Sequence, residues 1–118
     1  MVSFKISLKL LSEANLREHW TAKHKRHQLY KKKLLPIKRD LQNVKLPCTI
    51  TLVRIAARQL DDDNLRMAFK KIRDILADYM ITELAPGRAD GDPRLDWHYS
   101  QEKGEVKEFA IRIDIEEK

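Results

Sequence analysis

Three consecutive aspartates and an asparagine, Asp61-Asp62-Asp63-Asn64, stand directly before an apolar pattern of helical period, in a chain whose net charge is +6. Adjacent carboxylates repel one another, and a helix start needs only one acidic cap. The cluster therefore points to a cation, and a hard divalent ion with oxygen ligands suits it. In extended geometry residues two apart point the same way, so Asp61 and Asp63 are expected to reach one ion while Asp62 turns elsewhere. The structural alternative is that Asp63 caps the helix and Asp61 and Asp62 are turn residues. Asp92, in a Gly/Pro loop just before a strand, is the expected third carboxylate, with Asp90 beside it. DGDP is also rich in turn formers, so a plain turn competes. An ion held by Asp61, Asp63 and Asp92 would lower the pKa of a bound water and offset charge on a phosphate. Arg66, Lys70, Lys71 and Arg94 are the candidate cations for the scissile phosphate; ordinary helix surface is their other reading.

The elements that must position these groups are set by periodicity. Residues 2–11 alternate apolar and polar and read as a strand with one wet face. Ser12 to Asn15 is a turn, and either Ser12 or Asn15 can cap the helix after it. From about Leu16 to Leu41 a narrow apolar stripe (Leu16, Trp20, His27, Tyr30, Leu34, Ile37, Leu41) predicts a helix, broken or kinked near 33–36 by Pro36. Residues 47–58 form a second strand, apolar on both faces and so expected in a central position covered on both sides. Asn64 to about Met80 is the second helix, with Leu65, Phe69, Ile72, Leu76 and Tyr79 on its core stripe. After the loop 81–93, Arg94–Gln101 and Val106–Ile115 read as strands, and the turn at Gly104 makes them a plausible hairpin. Trp20, Trp97 and Tyr99 are expected in the core. The order β-α-β-α-β-β implies an α/β (mixed α+β) fold, with a mixed four-stranded sheet and two helices in a single domain over 1–118.

Composition narrows the function classes. With 42% hydrophobic and 36% charged residues, the chain reads as a globular protein with a very polar surface. No apolar run nears the roughly 18 residues of a membrane span, and the N-terminus lacks signal-peptide features. One cysteine, Cys48, excludes an internal disulfide and a CxxC pair, and fits a reducing cytoplasm. His19, His24, His27 and His98 match no zinc spacing, and no phosphate loop, dinucleotide fingerprint or nucleophile elbow occurs. The positive charge is concentrated: Arg17–Arg39 holds nine Lys or Arg against one acid, Glu18. Lys23, Lys25, Arg26, Lys31, Lys32 and Lys33 are its candidate DNA contacts, with Arg66, Lys71 and Arg94 beyond it. A solvated face is the alternative.

The element order, the Asp61-Asp62-Asp63-Asn64-Leu65 run, Phe69, the IRDILAD run from Ile72, and Gly91-Asp92-Pro93-Arg94-Leu95 together resemble the RusA family of Holliday junction resolvases, in their phage and prophage form. Ser12–Asn15 loosely resembles the family's S-x-N turn. The likeness covers nearly the whole chain. It implies a homodimeric endodeoxyribonuclease of the cytoplasm of a bacterial or phage-infected cell, acting in DNA recombination and repair. It would resolve four-way junctions with Mg²⁺ or Mn²⁺ by paired symmetric nicks that leave 5′-phosphates. The family's essential aspartates map onto Asp61, Asp63 and Asp92. The family lysine four residues after the second aspartate is Met67 here, leaving Lys70, Lys71 or Arg66 for its role. No small-molecule cofactor and no membrane partner are expected. The alternatives are a nuclease of other branched DNA or of RNA, and a non-catalytic nucleic-acid binder with the same fold. A junction is two-fold symmetric, so cutting it calls for two opposed sites, which a two-fold dimer supplies.

Overall fold

Alternation of apolar and polar side chains produces four strands, and the computed structural model, described for residues 1–10 and 20–118, joins them into one sheet. The strands are β1 (Val2–Ser7), β2 (Cys48–Ala56), β3 (Leu95–Lys103) and β4 (Ala110–Glu117), in spatial order β1-β4-β2-β3. β4 runs antiparallel to both β1 and β2, and β3 runs parallel to β2, so the sheet is mixed as expected. The result is a compact α+β domain.

The expected β3–β4 hairpin does not form, because β2 lies between the two strands. Local alternation tells which side chains face the core but not which strand is the neighbour. Burial decides that. Ile111, Ile113 and Ile115 of β4 are almost fully buried, while β3 carries Asp96, His98, Ser100 and Glu102 on its outer face. The more apolar strand takes the interior position and the more polar one takes the edge.

Helices cover one face of the sheet. α1 (Trp20–Leu34) passes into a 3-10 turn (Leu35–Ile37) and then α2 (Lys38–Gln42). Pro36 sits at the first turn of the 3-10 segment, where its missing N–H costs nothing. The break near Pro36 thus falls where the sequence places it. α3 (Asp62–Ala68) and α4 (Lys70–Met80) replace the single helix expected over 64–80, with a turn at Phe69 between them. Phe69 is fully buried. Tyr30, Leu34, Leu41, Phe69, Ile72 and Leu76 pack on Ile50, Leu52, Ile111 and Ile113 in the main core. Each such side chain contributes about 1.5–3 kcal/mol on burial.

Three expectations need correction. β1 ends at Ser7, and Leu8 and Leu10 pack into the core from an irregular segment. Leu11, at the far end of the expected strand, the caps Ser12 and Asn15, and the stripe residue Leu16 lie outside the described residues. Trp20 is 69% exposed, not core, because α1 turns its Tyr30 and Leu34 face inward and leaves the first turn outside. The second face of β2 is not covered by a helix among the described residues. Val53 and Ile55 form a small cluster with Ala110, next to polar side chains of the neighbouring strands. Arg112 there reaches Glu102 on one side and Asp114 on the other, and Ser3 donates to Asp114 at 2.8 Å.

Candidate functional site

Asp61 is the N-cap of α3. Its backbone is extended (φ −69°, ψ 167°), and its Oδ1 accepts the Asn64 N–H at 2.9 Å. Asp62 and Asp63 therefore belong to the helix's first turn. The extended i, i+2 geometry expected for Asp61 and Asp63 does not hold, since only Asp61 is extended. All three side chains are exposed. Being at a helix start, they face the positive end of its dipole, which offsets part of their mutual repulsion.

The turn before Asp61 is pinned by a residue that sequence reasoning passed over. Gln101 on β3 accepts the Leu60 N–H through Oε1 at 2.9 Å and donates Nε2 to the Leu60 carbonyl at 2.6 Å. Its amide copies a strand partner and holds the cap against the sheet edge. An i, i+2 reading of Tyr99 and Gln101 as inward-facing is the only signal that could have found it.

Arg73 organises the neighbouring wall. Its guanidinium lies 5.0 Å from the Trp97 ring centroid, donates Nη1 to Tyr99 Oη at 2.9 Å, and donates Nη2 to the Asp90 carbonyl at 3.0 Å. Trp97 Nε1 donates to the same carbonyl at 3.0 Å. Arg66, one helix back, stacks over Tyr99 at 5.6 Å. These side chains with Asp62 and His98 enclose a small pocket of about 340 Å³. Trp97 and Tyr99 are half-buried, packed on the core by one face and lining this pocket by another. Asp62, expected to be a bystander, is thus the aspartate that lines a cavity.

Asp92 is elsewhere. It precedes β3, and Arg94 beside it accepts the Cys48 N–H through its carbonyl at the start of β2. Leu60, next to Asp61, is tied to Gln101 near the end of β3. Because β2 and β3 are parallel, the crossover that starts after β2 and ends before β3 leaves Asp61 and Asp92 towards opposite ends of β3. The Asp92 carboxylate is also engaged: Arg94 donates Nε to Oδ1 at 3.0 Å, Nη2 to Oδ2 at 2.9 Å, and its backbone N–H to Oδ1 at 2.9 Å. Arg94 Nη2 meets Glu83 at 2.6 Å as well. These hydrogen bonds from Arg94 hold the Asp92 carboxyl down at about 2. Asp74, by contrast, is pushed up by burial first and by the nearby Asp90 second.

Among the described residues, no three His, Cys, Asp or Glu side chains stand together as a metal-holding group. Asp61, Asp63 and Asp92 therefore do not fit one ion as a set of three. Asp61 and Asp63 both stand exposed at the start of α3, and Mg²⁺ is commonly bound by one or two carboxylates with water completing its shell.

No family model, curated protein or solved structure matches this chain.

The candidate cations divide among several surfaces. Lys71 Nζ donates to the Lys23 carbonyl at 3.5 Å and lines a crevice with Trp20, Lys23, His24 and Asp74. Lys31 faces a second cavity with Lys38, Asp74 and Asp78. Lys33 faces a third, at the β1 edge. Lys25 and Lys32 are exposed, Arg26 is half-buried, and Lys70 is exposed at the start of α4. Consecutive helix residues point about 100° apart at 3.6 residues per turn, so the lysine run 31–33 cannot act as one patch. Met67 is 41% exposed. No described helix is long and apolar enough to cross a membrane.

Proposed function

We propose that this chain is a metal-dependent, structure-selective endodeoxyribonuclease of the RusA type, acting on four-way DNA junctions in recombination and repair. The observation that supports it most is the exposed helix start Asp61–Asp63, with Arg66 and Arg73 on the adjacent wall, in a chain of net charge +6. Asp61 and Asp63 would hold Mg²⁺, or Mn²⁺ in its place. Bound there, the ion supplies an activated water and charge neutralisation at the phosphate. The chain's own contribution is positioning. The Asp61 cap and the Gln101 clamp fix the backbone that carries the carboxylates, and Arg66, stacked over Tyr99, would offer a cation for the scissile phosphate. Asp92 orients Arg94 towards the other end of β3, away from this helix start. A homodimer in the cytoplasm of a bacterial or phage-infected cell would supply the two sites a symmetric junction needs.

A second reading, a nucleic-acid binder without nuclease activity, is favoured by one observation: Asp92 is already satisfied by Arg94. Incubating labelled four-way junction with the purified protein, with and without Mg²⁺, separates the two. Paired nicks that need the metal support the nuclease, and binding without nicking supports the binder. Asp63→Asn should keep junction binding and abolish nicking.

A further inference from the structure

A concavity of about 880 Å³ lies at the β1 edge, between α1 and the turn 105–108. Four lysines line it from four places in the chain: Lys5, Lys9, Lys33 and Lys107. Only Lys33 belongs to the basic run of α1. One acid, Glu108, lies among them and meets Lys5 at 3.9 Å. Lys9 caps the half-exposed Phe109 ring at 4.7 Å. A groove with four lysines and one acid among its lining residues favours an extended polyanion.

Lys107 is held there against its own backbone preference. It occupies the third position of a turn closed by the Glu108 N–H on the Glu105 carbonyl at 3.0 Å, and its φ is 66°. Turns with a positive φ at that position favour Gly or Asn. A lysine costs stability at this place, and its side chain serves the groove rather than the turn.

The groove and the aspartates lie on opposite sides of the sheet. Ser7, Ala110, Ile55 and Glu102 share one row across β1, β4, β2 and β3. Lys9, Lys107 and Phe109 lie just beyond that row on the β1–β4 side, whereas Leu60 is tied to Gln101 and Asp62 lies near Tyr99 on the β3 side. Strands about 4.8 Å apart put about 15 Å between β1 and β3.

We propose that this lysine groove binds the phosphodiester backbone of a DNA arm, a role that rests on the nucleic-acid reading above. The test uses the full chain and fluorescein-labelled four-way junction DNA in EDTA, titrated between about 50 and 300 mM NaCl. Lys9→Gln/Lys33→Gln/Lys107→Gly should bind at least about tenfold more weakly than the parent. Its log affinity against log salt should be less steep by about 2 to 3, as each phosphate contact contributes about 0.9. Lys107→Gly alone should melt no lower than the parent and still bind DNA more weakly, which a structural role for Lys107 does not allow. Equal affinity and slope in the triple variant, with the parent binding normally, overturns the groove and leaves the nuclease reading standing. A parent that binds no junction overturns both. Binding of the parent to phosphatidylserine vesicles but not to DNA assigns the lysines to a lipid surface and also overturns the proposal.

Discussion

Arg94 grips Asp92 through two nitrogens at once, with Nε 3.0 Å from Oδ1 and Nη2 2.9 Å from Oδ2, while the Arg94 N–H closes a third bond to the same carboxylate. A bidentate guanidinium–carboxylate pair fixes both position and plane. It makes Asp92 an anchor for the start of β3 as much as a candidate for chemistry.

Titration of Asp92 reflects that grip. Its folded carboxyl titrates at about 2, below the roughly 3.9 of an unfolded chain. A depressed carboxyl contributes stability that is present above pH ~4 and lost as pH falls through about 2. Carboxyl-detected NMR should find that midpoint in the parent. In Arg94→Met the midpoint should return towards the ordinary carboxylate range, and a midpoint unmoved by the substitution would remove Arg94 as the cause.

Capping and chemistry can be separated at Asp61. Asp61→Ala removes the acceptor for the Asn64 N–H and should cost about 1 kcal/mol in urea denaturation. Asp61→Asn keeps an acceptor oxygen and should cost little, yet abolish metal-dependent nicking. Nicking that survives Asp61→Asn confines Asp61 to its cap.

Arg73 ties α4 to β3 and to the loop that carries Asp90. Arg73→Leu deletes the bonds to Tyr99 and the Asp90 carbonyl, each worth about 1 kcal/mol net. Hydrogen exchange should quicken in residues 88–92 while the centre of β2 stays protected. Uniform loss of protection across the sheet would mean that Arg73 supports the whole fold rather than this loop.

Cys48 is fully buried at the start of β2, and burial first, with the Glu117 carboxylate second, pushes its thiol pKa up. The thiolate is the reactive form. Ellman's reagent at pH ~8 should therefore find almost no reactive thiol in the native protein and one per chain in urea. Rapid native reaction would show that the start of β2 opens readily.

Much of this architecture can be read from periodicity. The core stripe Leu65, Phe69, Ile72 and Leu76 and the alternation in β4 place these residues in the core, and Pro36 marks the break between α1 and α2. Strand neighbours are not legible that way, because β3 and β4 alternate equally well and only the depth of burial orders them. At the site, Asp61, Asp62 and Asp63 are equally able to cap a helix, so local chemistry alone cannot say where α3 begins. The clamp of Gln101 on Leu60 joins residues 41 positions apart, a distance no spacing rule spans. The separation of Asp61 from Asp92 is set by the direction of β3, itself a consequence of the order in which strands pair.

That order also governs when the sheet can exist during synthesis. β4 follows the other three strands in the chain, yet among the described residues it is the only partner of β1 and one of the two partners of β2. A nascent chain carries β1 unpaired until residues 110–117 emerge from the ribosome. Until then β1 presents an unpaired edge open to aggregation. The polar residues that alternate along β1 (Ser3, Lys5, Ser7) blunt that edge.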